Sequence, residues 1–128
     1  MLGDISIYKL ECLENGRVYI GKTKYPKLRK RNHFQALKQG KHHVALMQED
    51  YDKYGKSAFK FTILEVVNRQ VVVISPKDHK FTDAVREKEL MVQYKSYLPE
   101  HGYNYRDQYF DHPFSRARRR RHESVGSL

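Results

Sequence analysis

Residues 5–23 read Ile-Ser-Ile-Tyr-Lys-Leu-Glu-Cys-Leu-Glu-Asn-Gly-Arg-Val-Tyr-Ile-Gly-Lys-Thr. Two tyrosine signatures, Ser6-Ile7-Tyr8 and Tyr19-Ile20-Gly21-Lys22, flank Asn15-Gly16, a dipeptide favoured in two-residue hairpin turns. Apolar residues alternate from Ile5 to Cys12, and Arg17 to Ile20 supplies a partner strand. With a two-residue turn, Leu13 faces Val18 and Cys12 faces Tyr19. Strand parity then puts Ile5, Ile7, Leu13, Val18 and Ile20 on one face. Tyr8, Leu10, Cys12 and Tyr19 take the other. Both signature tyrosines therefore project from one face, and a one-residue slip separates them.

Beyond the hairpin, Pro26 suits the first turn of a helix running to about Gln39, with Gly40 as its stop. Leu28, Phe34 and Leu37 are its apolar contacts. A second helix is expected from His43 to Tyr54, burying Ala45, Leu46, Met47 and Tyr51, with Gly55 ending it. Phe59, Phe61 and Ile63 alternate in a third strand over Ala58 to Val67. In the segment 68–80, Val71-Val72-Val73-Ile74 fits either a strand or an elaborated loop closed by Ser75-Pro76. Thr82 or Asp83 is expected to cap a third helix reaching about Leu98. The pattern is an α/β domain of α+β type, a small three-stranded antiparallel sheet flanked by about three helices, over residues 1–112. Residues 113–128 carry Arg116 and the run Arg118 to Arg121 and bury little, which predicts a flexible basic tail. Arg118, Arg119 and Arg120 are its phosphate-gripping residues.

The chain has 128 residues, enough for one modest core. Twenty-five Lys and Arg against 15 Asp and Glu leave a formal charge of +10. That balance suits a polyanion such as nucleic acid, with an anionic membrane as the other reading. The lone Cys12 excludes an internal disulfide and a cysteine-based zinc site. No signal-peptide pattern and no membrane-spanning apolar run is present, so a cytoplasmic protein without a membrane partner is expected.

One ordered set of motifs spans most of the chain. Tyr19-Ile20-Gly21-Lys22-Thr23 is followed by Arg29 and His33, Gly40-Lys41-His42, Tyr54-Gly55, and Phe59-Lys60-Phe61-Thr62-Ile63-Leu64-Glu65. A helical glutamate and Gly102-Tyr103-Asn104 complete the order. From Ile5 to Asn104 this resembles the GIY-YIG nucleases of the phage and homing-endonuclease kind. Ser6 departs from the first glycine of the name motif, and 68–80 is longer than the family pattern. The resemblance implies a magnesium-dependent endonuclease, with manganese able to substitute, that hydrolyses double-stranded DNA. It implies Tyr8, Tyr19, Arg29 and His33 as catalytic residues, with Tyr19 as the base and Tyr8 positioning water or phosphate. Lys22, His42 and Asn104 fall to phosphate binding or support of the site, with Asn104 tying the last turn to the hairpin.

Residue chemistry agrees with these assignments. Arg29 stays charged and can make two hydrogen bonds to phosphate oxygens. His33, four residues on, shares its helix face and has an ordinary pKa near neutrality, suited to accepting a proton or holding a water. Tyr19 acts as a base only as a phenolate, which Lys22, Arg29 or a metal favours. Two glutamates compete for the metal and stand about 200° apart on a helix. Glu87 has Ala84, Leu90, Met91 and Tyr94 on its stripe, whereas Glu89 lies beside Gln93 and Ser96 as well as Val85 and Val92. A carboxylate on an apolar stripe needs a cation, so Glu87 is the expected ligand. Its other reading is a buried ion pair, with Arg29 as a partner. A non-enzymatic nucleic-acid-binding protein, or a phage assembly protein on the same fold, is the alternative function. The short chain leaves little room for a reader of base edges, which points to a homodimer or a separate DNA-targeting partner.

Overall fold

A computed structural model of the chain describes residues 3–105. Strand β1 (Asp4–Cys12) is central in a three-stranded antiparallel sheet, with β2 (Val18–Thr23) on one side and β3 (Phe59–Asn68) on the other. Helices α1 (Pro26–Lys38), α2 (Ala45–Tyr54) and α3 (Thr82–Tyr94) flank it. The expected α+β architecture is therefore the observed one. The tail and the boundary at 112, with Arg118, Arg119 and Arg120, lie outside the described residues. Among the described residues, no helix is long and apolar enough to cross a membrane.

The hairpin turn is longer than Asn15-Gly16 alone suggests. Cys12 N–H donates to the Arg17 carbonyl at 2.9 Å, leaving a four-residue loop over 13–16. Tyr19 consequently pairs with Leu10 rather than Cys12, and Leu13 is exposed in the loop. The physical reason is Asp50. Buried on α2, it accepts hydrogen bonds from the Asn15 amide and, at 3.0 and 3.1 Å, from the Arg17 guanidinium. Asn15 is thereby held by a tertiary contact. Because the pairing shifted by two, the predicted faces survived.

One face of the sheet buries Tyr8, Leu10, Cys12, Tyr19 and Phe59 against Leu37 of α1 and Met47 of α2. The other buries Ile7, Val18 and Ile20 against Leu90 and Met91 of α3. A bulge in β3 opposite Ile7 and Tyr8 serves both layers. On one side of it Phe59, Phe61 and Ile63 share the tyrosine face; on the other, Leu64 and Val67 turn to α3. Ser6 sits in ordinary ladder pairing with Thr23 and Val66, so the first glycine of the family pattern is dispensable here.

Several local expectations change. Leu28 is exposed, and His33 takes the core position beside Leu37. Helix α2 starts at Ala45 rather than His43, because Val44 is extended and its N–H bonds the His42 ring. The long segment forms its own hairpin, β4 (Val71–Ser75) with β5 (Asp78–Phe81). Neither Thr82 nor Asp83 caps α3, whose N-cap is Phe81. The Thr82 hydroxyl instead donates to the Asn68 carbonyl, accepts from Gln70 N–H and closes that hairpin. Helix α3 ends at Tyr94, short of Leu98. Lys95 turns left-handed (φ 56°) and Ser96 N–H returns to the Met91 carbonyl. A Cβ on Gly102 would overlap the Ser96 backbone, so only glycine lets the chain double back there. That return lays Tyr103 and Asn104 against β2.

Candidate active site

Helix α1 brings two predicted residues to the tyrosine face of the sheet. His33 is buried, and its Nε2 lies 2.7 Å from the Tyr8 hydroxyl. Its Nδ1 lies 2.8 Å from Nε2 of His42, and His42 Nδ1 accepts the Val44 backbone N–H at 3.0 Å. That backbone donor fixes every proton in the chain. His42 Nδ1 must be bare, so its Nε2–H donates to His33 Nδ1, and His33 Nε2–H donates to Tyr8. The Tyr8 hydroxyl is thus an acceptor at the end of a one-way relay. Burial, helped by His42, His43 and Arg29, pulls His33 down to about 3; burial and His43 pull His42 down to about 4. Both rings are neutral at pH 7. With both His33 nitrogens engaged, its expected grip on an attacking water gives way to a grip on Tyr8.

Tyr8 is fully buried, stacked on Phe61 at 4.6 Å and tilted against Tyr19 at 6.2 Å. The Tyr19 ring meets His33 and His43 edge-on, at 5.4 and 6.3 Å. Tyr19, Arg29, Asn32, His33, His42 and His43 line a concavity of about 270 Å³. Arg29 is exposed there and has no ion pair among the described residues. The expected phenols, guanidinium and imidazoles therefore meet.

Lys22 and Glu87 belong to the opposite layer. Lys22 pairs with Ile7 in the ladder, on the face that α3 covers. Its ammonium donates to Asp83 Oδ2 at 2.9 Å, and Arg69 grips both oxygens of the same carboxylate at 2.9 and 3.0 Å. Burial pushes the Asp83 carboxyl up, but these hydrogen bonds outweigh it and bring it down to about 2. Glu87, one helical turn further, is half-buried and makes no hydrogen bond or ion pair with a described residue. Burial, opposed by Lys22 and reinforced by Asp83, raises it to about 7. Arg29 is not its partner. Glu89 is exposed and donates nothing to this layer; it accepts from Arg86 at 3.2 Å. Among the described residues no group of three or more potential ligands surrounds a metal position. The two layers adjoin along β2, where Tyr19 and Gly21 face one way and Ile20 and Lys22 the other.

Asn104 is fully buried. Its amide accepts from Ile20 N–H at 2.7 Å and donates to the Ile20 carbonyl at 3.0 Å. This is the expected tie to the hairpin, and it leaves no surface for a phosphate. His42 lines the concavity, but both its ring nitrogens are engaged, one with His33 and one with the Val44 N–H, so it supports His33.

Sequence reading missed Asp50 and Asp83, the two buried carboxylates that hold the hairpin from either side. Asp50 also accepts the Tyr103 hydroxyl at 2.6 Å, and burial, then Asp50, pushes that phenol up. The signal used for Glu87 would have found both. Asp50 lies three residues after Met47 on the apolar stripe of α2, and Asp83 lies one turn before Glu87.

Residues 4–104 match the GIY-YIG catalytic domain family. The chain belongs to this family and is a nuclease of the GIY-YIG type. Two solved structures share its fold. The catalytic domain of the homing endonuclease I-TevI is 24% identical, with a TM-score of 0.58 over 77% of this chain and 96% of that one. A point mutant of the I-TevI catalytic domain, described as an intron endonuclease, is also 24% identical, with a TM-score of 0.62 over 78% and 91%. No curated protein sequence matches the chain significantly.

Proposed function

We propose that this chain is a magnesium-dependent DNA endonuclease that hydrolyses phosphodiester bonds by direct attack of water on phosphorus. The observation that carries the reading is the Tyr8–His33–His42 relay beside Tyr19 and the uncompensated Arg29. Hydrolysis requires a proton acceptor for the attacking water and positive charge where the phosphoryl oxygens become more negative. Tyr19, on the wall of the concavity, takes the first role as its phenolate. Arg29 takes the second through a two-pronged hydrogen bond. Tyr8, buried and held as an acceptor by neutral His33, packs against Tyr19 and so acts through the two rings that line the concavity. Lys22, shared with Asp83, adds positive charge at the β2 edge.

Glu87 suits a divalent cation. It is a half-buried carboxylate with no hydrogen bond or ion pair to a described residue, and the favourable charge of Lys22 is already bonded to Asp83, so its burial is costly. One carboxylate with waters and phosphate oxygens is magnesium's habit, and manganese can take the same place. When bound, the cation would act as a Lewis acid toward the phosphate. The chain's formal net charge of +10 favours a polyanionic substrate.

Incubation of the protein with supercoiled plasmid and magnesium tests the reading. Nicked or linear product, lost with Glu87→Gln, is expected. Intact DNA across metals, pH values and sequences, together with unaltered binding, would establish the non-catalytic DNA-binding alternative instead.

A further inference from the structure

Helix α1 presents a second stripe, displaced around its axis from the one that carries Arg29 and His33. Lys27, Lys30, Arg31 and Lys38 form one wall of a groove of about 1280 Å³, and Lys56 and Lys60 stand on the other. The groove runs on past Lys27, Lys30 and Lys60 into a hollow of about 440 Å³ along β3. No aspartate or glutamate lines either. None of the six cations makes an ion pair among the described residues, although Lys56 lies over the Phe34 ring at 5.8 Å. Other described cations do have carboxylate partners, as Arg17 with Asp50, Lys22 and Arg69 with Asp83, and Arg86 with Glu65. What sets the groove apart is six cations gathered along one path with no acidic residue in its lining.

Six like charges facing one another across a groove repel, and an external polyanion removes that cost. The space exceeds what a single small ligand fills, which suits a run of phosphates. The aromatic floor is occupied with internal packing: Phe59 is buried against Tyr51, and Phe61 stacks on Tyr8. The groove therefore offers charge along a path rather than free rings for bases. Phe61 joins it to the site, since one ring both lines the groove and stacks on the Tyr8 phenol.

We propose that this groove is the track for the DNA phosphate backbone flanking the cleaved bond. The inference rests on the endonuclease reading for its substrate. Helix α1 then works on two sides: Arg29 and His33 serve the chemistry, and the lysine stripe sets affinity and register.

The test compares Lys30→Gln/Lys38→Gln/Lys60→Gln with a charge-matched control, Lys53→Gln/Lys77→Gln/Lys80→Gln, in the full chain. Binding to a fluorescent duplex is measured in EDTA across salt concentrations. Three lost phosphate contacts make the slope of log affinity against log salt shallower by about 2.7. The control should shift the slope by less than a third of that. With magnesium and enzyme below saturation, cleavage by the groove variant should fall in step with its lost affinity, while the control cuts within about threefold of the parent. A groove variant whose slope matches the control's overturns the proposal, as does an equal loss confined to anionic phospholipid vesicles. A parent protein that leaves DNA uncut while the slope difference persists sinks the nuclease reading and leaves the groove assignment standing.

Discussion

Tyr8 and Gly21 face each other directly across the β1–β2 ladder, and the Tyr8 phenol occupies the space where a Cβ on residue 21 would be built. The glycine of the second signature is thus the floor under the tyrosine of the first. Gly21→Ala forces the ring off His33 and Phe61. Overpacking of this kind costs about 1–3 kcal/mol. Urea denaturation should show a loss in that range, and plasmid cleavage should fall by roughly a hundredfold, the scale of losing one aligned active-site group.

Tyr8→Phe removes the acceptor of the relay and leaves the buried His33 Nε2–H without its partner. The cost is about 1–3 kcal/mol, with cleavage strongly reduced and DNA binding kept. The relay also has a pH signature. His33 and His42 stand near 3 and 4 when folded and near 6.5 when unfolded. Their contribution is intact above pH 6.5 and is lost as pH falls from there toward 4 and below. His42→Gln, which cannot take up that proton, should shrink the acid loss in urea titrations between pH 6.5 and 4.

Glu87 has the opposite sign. Raised to about 7 from an ordinary 4.5, it binds a proton on folding, so metal-free protein gains stability from this group as pH falls from about 7 to 4.5. Glu87→Gln should remove that component and raise the melting temperature at pH 7.5. Magnesium should stabilise the parent at pH 7.5 and leave the variant unmoved. Glu89→Gln should change cutting by less than about threefold, since an exposed pair contributes little. A Glu89 variant more damaged than the Glu87 variant would reverse the assignment.

Asn104→Ala should expose the dependence of the site on the returning chain. It leaves the Ile20 N–H and carbonyl unpaired beside Tyr19 and Gly21. A destabilisation of about 1–3 kcal/mol is expected, with lower cleavage. Hydrogen exchange at Ile20 should accelerate in the variant by more than exchange at Leu10 in the central strand.

The one-dimensional pattern determined a good deal. Alternation in β1 put Tyr8 and Tyr19 on one face even though the loop has four residues rather than two, because a shift of two preserves strand parity. The four-residue spacing of Arg29 and His33 placed both on one side of α1, and the apolar stripe of α3 told half-buried Glu87 from exposed Glu89. These are properties of local period, and period is written along the chain. Tertiary structure decided what depends on groups far apart in sequence. Asp50 lengthened the hairpin loop by drawing in Asn15 and Arg17. The Val44 N–H, through His42, set which way His33 holds its proton. Asp83 claimed Lys22 and Arg69 for one carboxylate, and Gly102 let Asn104 reach Ile20. Each outcome belongs to a buried polar group finding its partner, and burial is known only once the layers have packed.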